Sequence, residues 1–570
     1  MSPAQAQVAL DIAQRHGIPD ILARVLAGRG VAASDAREFL DPSIKALMPD
    51  PRSMTDVEAA AARIADAIRG RQRVAIFGDY DVDGASSSAL LARYLRFFGI
   101  ETEIYIPDRI FEGYGPNPAA IRELASRAAL IVTVDCGTNS AEAFAAAEGR
   151  GADIVVIDHH QVGGPLPDIA AVVNPNRDDD LSGLGHLCAA GVVFMTLVEV
   201  SRQMRAHGVQ RLPDLLSMLD IVALATVCDV VPLTGLNRAF VAKGLVAARH
   251  LGNPGLSALA RVSSIGEPLN PFHFGFLIGP RINAGGRIGN AALGSMALSE
   301  DDPNRAGEIA AELDRLNRER QAIEVQMVEQ ARAEADRDMA SARPPAVLVT
   351  SSEDWHPGIV GLIAARLKEH TRRPAFAIAL DGSGRGTGSG RSIPGFDLGK
   401  LVRGAVDEGL LVKGGGHAMA AGITVERSKL GDLRDYFEEK AATAVSSILD
   451  NETQPVDGAL SARGATAGLI AEIEKAGPFG SGNPEPVFVL PNHRIASSAV
   501  VGNGHLKLRL MAEDRSQLDA IAFRASDTDL GHFLSRHSGA PVHVAGTLSI
   551  NHWNGRQTAQ MRIVDAAAPV

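Results

Sequence analysis

Three short apolar runs, each ending in acids, constrain this chain more than any other feature. Val74-Ala75-Ile76-Phe77 runs into Gly78-Asp79-Tyr80-Asp81-Val82-Asp83-Gly84. Ile131-Val132-Thr133-Val134 runs into Asp135-Cys136-Gly137, and Ile154-Val155-Val156-Ile157 into Asp158-His159-His160. Helix-like segments, such as 86–98 and 141–147, lie between them. Apolar strands alternating with helices predict a parallel sheet covered on both faces, an α/β domain.

Ligands of such a sheet bind just beyond the carboxyl ends of its strands. Three strands therefore deliver carboxylates and imidazoles to one edge. Uncompensated, these acids repel one another strongly in a poorly solvated cleft, and divalent cations relieve the repulsion. The ligand set is rich in oxygen, with some imidazole and no thiolate, which suits Mn²⁺ or Mg²⁺ better than structural zinc. So many carboxylates point to two ions, the clamp used for in-line attack on phosphorus. Asp229, after the apolar run 221–227, is a further candidate ligand. Taken singly, Asp-x-Asp-x-Asp-Gly reads as a turn or calcium loop, Asp-His-His as a helix cap and Asp229 as a turn residue. The order of all three strand ends is what carries the metal reading.

The chain has 570 residues, 46% hydrophobic and 22% charged, enough for three or four domains with cores of their own. Its cysteines, Cys136, Cys188 and Cys228, are too few and too scattered for a disulfide framework or a thiolate zinc site. The N-terminus lacks a secretory pattern, and no run of about 18 apolar residues exists, so a cytoplasmic setting without a membrane span is expected. The net charge of −11 counts against nucleic acid as an average over the whole molecule. A nuclease, however, concentrates acids at its metals and arginines along its groove.

Residues 1–55 read as a helical arm ending in proline-rich loops, and 56–300 as the first α/β domain. The charge-rich stretch 301–342 places Leu313, Leu316, Ile323 and Met327 on one helical stripe. It reads either as a connecting helix or as an ordinary core-edge helix. A second, smaller α/β pattern covers 343–452, opening with a strand at 346–349 and glycine-rich at 382–390 and 414–416. The last part, 453–570, reads as mostly β, with Asn554-Gly555 as a hairpin turn. Its main aromatics are Phe479, Phe488, Phe523 and Trp553.

These motifs resemble the DHH phosphoesterase family, named for the motif present here as Asp158-His159-His160, and most closely its RecJ branch. Gly78 to Gly84 looks like the first family motif, Asp135-Cys136-Gly137 the second and Ala225-Thr226-Val227-Cys228-Asp229 the fourth. Gly279-Pro280-Arg281-Ile282-Asn283-Ala284-Gly285-Gly286-Arg287 is similar to the segment between catalytic and associated domains. Trp355 to Gly361, Gly388 to Ile393 and Gly414-Gly415-Gly416-His417 look like motifs of the DHH-associated domain. Pro478-Phe479-Gly480-Ser481-Gly482-Asn483-Pro484-Glu485-Pro486 looks like the start of an OB-fold barrel.

The resemblance implies a single-strand-specific 5′-to-3′ exodeoxyribonuclease that releases 5′-mononucleotides in DNA repair and recombination. Asp79, Asp81, Asp83, Asp135, His159 and Asp229 would hold two metal ions, with Asp135 between them. His160 would contact the scissile phosphate, and Asp158 would act mainly behind it. Arg109, Arg281, Asn283, Arg287, Ser389, Arg391 and His417 would bind substrate, and a glycine-rich loop would bring backbone N–H groups to phosphate. A helicase and a single-strand-binding protein are the expected partners of a monomeric enzyme. The alternatives are a small-substrate DHH phosphoesterase, whose relatives are typically shorter, and a non-catalytic DNA-binding scaffold, which the full set of acids opposes.

Overall fold

The computed structural model describes residues 1–109, 111–266, 268–451, 453–553 and 556–569. The chain divides into two compact units, one of residues 51–228 with 248–452, the other of 1–50, 229–247 and 453–570.

The larger unit is built on a five-stranded, wholly parallel sheet: β1 (Val74–Gly78), β2 (Thr102–Tyr105), β3 (Leu130–Val134), β4 (Asp153–Ile157) and β5 (Ala171–Val173), in the order β2-β1-β3-β4-β5. Strand order reverses between β1 and β3, which makes their carboxyl ends the switch point where a crevice opens. One face buries Phe77, Ile131 and Val156 against Ile121, Leu124 and Phe144. The helices Val82–Phe97 and Ala189–Ala206 lie against strands of the same sheet. The first of them begins four residues earlier than its apolar pattern predicts, because the Asp81 carboxylate accepts the N–H groups of Asp83 (2.9 Å) and Gly84 (3.0 Å) and caps it. The segment predicted at 141–147 is a helical turn, Ala141–Phe144, running into a 3₁₀ turn, Ala145–Ala147.

The charge-rich stretch is a single helix, Pro303–Met339, capped by Asp302. Leu313, Leu316 and Met327 are buried on its stripe, and Ile323 is half-buried against the core of the associated region. That region holds a mixed sheet: β6 (Leu348–Ser352), β7 (Ala375–Leu380), β8 (Arg385–Arg391), β9 (Lys413–Gly416) and β10 (Ala420–Glu426), in the order β6-β7-β8-β10-β9. The strand expected from Ala346 starts at Leu348, since the Ala346 N–H is taken by the Glu438 carboxylate at 2.6 Å.

The glycine-rich stretch 382–390 is not a phosphate-cradling loop. Most of it is strand β8, paired with β7 and β10. Gly386, Gly388 and Gly390 face the core, where a Cβ at Gly390 would lie 2.4 Å from the Phe376 ring. Glycine is required there by packing, and the intervening residues, Thr387, Ser389 and Arg391, point to the other face. Gly390→Ala is therefore expected to cost about 1–3 kcal/mol by overpacking, read as a lower urea midpoint with an unchanged slope.

The smaller unit contains β11 (Gly458–Ala459), β12 (Phe488–Val501), β13 (His505–Met511), β14 (Gln517–Ala522), β15 (Pro541–Trp553) and β16 (Arg556–Ala567). Pairing of β12 with β15 closes five of these into a barrel around Leu490, Leu508, Leu510, Val544 and Met561. The expected turn at Asn554-Gly555 lies outside the described residues. The N-terminal helices Pro3–His16 and Asp20–Gly28 bury Ile12, Leu22 and Leu26 in one cluster with Ile473 and Phe488. Residues 229–247 fall in this unit although the sequence pattern runs them within 56–300. The guanidinium of Arg238 explains their place: it lies 3.9 Å over the Phe39 ring and donates to the carbonyls of Phe39 and Gly477. Among the described residues, no helix is long and apolar enough to cross a membrane.

Candidate metal centre and phosphate site

The three strand ends meet as their order in the sheet requires. Gly78 pairs with Val134, and Val134 with Ile157, so Asp79, Asp135 and Asp158 leave three neighbouring strands side by side. Asp79, Asp83, Asp135 and Asp158 are all buried. Asp135, His159 and His160 bring ligand atoms within 4.8 Å of one another, and so do Asp79, Asp81 and Asp135. Asp135 belongs to both groups.

Backbone geometry fixes Asp135 in place. Its φ of 62° lies in the left-handed region, a conformation that costs a non-glycine residue about 1–3 kcal/mol and persists only where the surroundings over-determine it. Here its N–H donates to the Ile157 carbonyl (3.0 Å), and its own carbonyl accepts from the Tyr114 hydroxyl (3.1 Å). Gly84 allows the first loop to close: a Cβ there would lie 2.4 Å from the Asp79 carbonyl oxygen.

The histidines are oriented from behind. His159 places Nδ1 3.0 Å from the Leu187 carbonyl, which leaves Nε2 as the acceptor, 3.3 Å from Asp135 and 3.8 Å from Asp83. His160 places Nδ1 2.8 Å from Asp158. Asp158 also accepts the backbone N–H groups of His159, His160 and Thr138. Burial alone would raise Asp158, but the hydrogen bonds from His160 and Thr138 outweigh it and hold its carboxyl well below the usual range. Asp79 behaves oppositely: burial, then the charge of Asp81, push it well above that range. Burial also raises Asp83, whose oxygens accept from Ala189 (2.6 Å) and Ala190 (2.8 Å) at the start of the helix Ala189–Ala206.

Asp79 Oδ1 is buried and has no hydrogen-bond partner. A buried carboxylate oxygen left unpaired costs free energy that a cation would recover. The donor set, oxygen with imidazole and no thiolate, fits Mn²⁺ or Mg²⁺. Asp229 directly follows the helix Leu219–Cys228 and is half-buried.

Three basic residues gather in the same unit, beside the first acidic loop. Arg391 ends β8, and its guanidinium lies against Gly361 at the start of the helix Val360–Thr371, beside Ser389. Arg287 donates to the Gly358 carbonyl at 2.9 Å, and Arg109 lies over the Tyr80 ring at 4.9 Å. Burial, then the like charges of Arg109, Arg320 and Arg391, push Arg287 down to about 9. Burial and Arg109 lower Arg391 as well. So many poorly solvated cations favour a bound polyanion. Arg281 is tied into the scaffold, with Nε on Asp314 (2.9 Å) and a second nitrogen on the Leu277 carbonyl (2.7 Å). Asn283 is half-buried on the helix Gly279–Ile288, and His417 is exposed at the turn between β9 and β10.

The comparisons agree along the whole chain. The DHH family N-terminal domain matches residues 73–226, the DHHA1 domain 345–443 and the RecJ OB domain 456–565. A single-stranded-DNA-specific exonuclease RecJ from Bacillus subtilis is 34% identical over 99% of this chain and 70% of its own length. The chain belongs to the RecJ family. The structure of RecJ with Mn²⁺ from Thermus thermophilus superposes with a TM-score of 0.81 at 29% identity, covering 100% of this chain and 78% of that one. Its Mg²⁺ counterpart gives 0.75 at 28% identity, over 100% and 77%. The catalytic domain, long helix, smaller α/β domain and closed barrel of this RecJ-family chain thus match the expected architecture, and its acids and histidines are positioned to bind metal.

Sequence reasoning missed several supports of the site. Asn174 donates to the His160 carbonyl (2.8 Å) and to Thr138 (2.8 Å), and Asn176 donates to the His159 carbonyl (2.5 Å). Their signal was available: Asn174-Pro175-Asn176 follows β5 as the acids follow the other strands. The Tyr114 hydroxyl, 3.1 Å from His160 Nδ1, gave no signal beyond its place in a glycine turn.

Proposed function

We propose that this chain is a metal-dependent exonuclease that removes 5′-mononucleotides from single-stranded DNA, working from the 5′ end in DNA repair and recombination. The observation that carries the reading is the buried acid cluster shared through Asp135, with an unpaired Asp79 oxygen within it. Two divalent cations held by Asp79, Asp81, Asp83, Asp135, His159 and Asp229 would supply Lewis-acid polarisation of the phosphate and activation of water.

The chain's own residues do the rest. Asp158 locks His160 through Nδ1 and leaves its imidazole, about a third exposed, to donate to the scissile phosphate. Arg109, Arg287, Ser389 and Arg391 bind the terminal 5′-phosphate, with the start of the helix Val360–Thr371 adding its partial positive charge. Arg281 and Asn283 support that site from the helix Gly279–Ile288, and His417 contacts the strand from its exposed turn. In the barrel, Phe523 is 51% exposed between the His505 ring edge and the Arg562 guanidinium, a surface suited to unpaired bases. The enzyme acts as a cytoplasmic monomer, with a helicase and a single-strand-binding protein preparing its substrate.

Asp158→Asn is expected to slow hydrolysis about 10–100-fold with little change in KM, because it misorients His160 without removing a ligand. Stripping metal should abolish hydrolysis of single strands, and added Mn²⁺ should restore it on single strands well above duplex. Activity that persists in excess chelator would refute the reading.

A further inference from the structure

One exposed feature of the larger unit has no part in the metal centre. Phe272 and Phe276 stack with ring centroids 5.1 Å apart and planes 24° from parallel. They are 57% and 69% exposed. The same stretch buries His273, Phe274 and Ile278 on its inner side, so the core is filled without the two outer rings.

Their position is defined. They flank and occupy a π-helical turn, His273–Ile278, a form that recurs at functional sites. The turn packs on the end of the helix Leu219–Cys228: the Cys228 thiol donates to the Phe274 carbonyl at 3.3 Å, and a Cβ at Gly279 would meet Cys228 Sγ at 2.6 Å. That helix leads directly to Asp229. From the other side, Arg281 bonds the Leu277 carbonyl while paired to Asp314 on the long helix. The rings thus stand on a braced support, and ordering them costs little side-chain entropy.

We propose that Phe272 and Phe276 form a stacking platform for unpaired bases of the strand being degraded. Every base has a π-face, so aromatic stacking holds a single strand without regard to sequence. In a duplex those faces are already covered by neighbouring pairs, and the platform therefore favours single strands. The inference rests on the single-strand reading above.

The test uses the full-length chain with chelator present, so that a fluorescein-labelled oligothymidylate is bound and not hydrolysed. Wild type should bind it. The double variant Phe272→Ala/Phe276→Ala should bind about 10-fold or more weakly, with the same salt dependence, since no phosphate contact is lost, and the same thermal midpoint. Phe276→Trp should keep the affinity and show tryptophan quenching on binding, whereas Phe276→Leu should not keep it. Undiminished affinity in the double variant overturns the platform. So does a leucine variant equal to the tryptophan one, or a loss of self-association in sedimentation with DNA affinity unchanged, which would assign the rings to a contact between copies. Failure of wild type to bind strikes the single-strand reading itself, and the platform with it.

Discussion

Asp135→Ala is expected to lower hydrolysis of single-stranded DNA by at least about 10³-fold, the scale on which a preorganised electrostatic site matters, while the chain stays folded. Asp135 is common to two of the candidate ligand groups, so its loss disables both of these. Asp79→Asn separates metal binding from folding. Asp79 and Asp83 titrate higher in the folded chain than the usual carboxylate near 3.8. Their contribution to the stability of the metal-free protein is therefore full below that value and is lost as pH rises through the raised values. Removing one acid relieves this cost. Metal-free Asp79→Asn should melt above metal-free wild type at pH 7, and Mn²⁺ should raise the melting temperature of wild type far more than that of the variant. Thermal melts with and without Mn²⁺ between pH 5 and 8 check the sign. An equal metal-induced shift in both proteins would remove Asp79 from the site.

Arg391→Ala is expected to lose on the order of 10²-fold in the preference for 5′-phosphorylated over 5′-hydroxyl ends, the cost of truncating one partner of a buried charge contact. A metal cluster cannot choose an end, because it acts on any phosphate that reaches it. The cation group of Arg109, Arg287 and Arg391 lies in the same compact unit, beside a helix start and the Ser389 hydroxyl. A terminal phosphate carries more charge than an internal diester and gains more from such a group. Single-turnover rates on the two substrates measure the ratio. An unchanged ratio, with Mn²⁺ affinity intact, would place end recognition elsewhere.

The catalytic edge was legible because it depends on local pattern. Strand period, an acid directly after each strand and the parallel connection together put Asp79, Asp135 and Asp158 on one edge, whatever the details of packing. The glycine stretch at 382–390 was misread for a physical reason: glycine spacing is the same whether backbone approaches a phosphate or a core ring, and only the fold places Phe376 beneath Gly390. The ion pair of Arg281 likewise depends on the fold, since its partner, Asp314, lies on another helix. The attachment of residues 229–247 to the barrel unit depends on Arg238 reaching carbonyls remote in sequence, a contact that no local period encodes. Asn174 and Asn176 carry no charge to mark them in the sequence, although they hold the histidines through their backbone carbonyls.

The most direct measurement follows the ends of the strand. Purified protein with Mn²⁺ is incubated with single-stranded DNA labelled at the 5′ or the 3′ terminus, beside duplex and RNA of the same sequence. The 5′ label is expected at once as mononucleotide, while 3′ label remains on progressively shorter strands and the duplex persists. Immediate release of the 3′ label as mononucleotide, or equal attack on duplex, would contradict it.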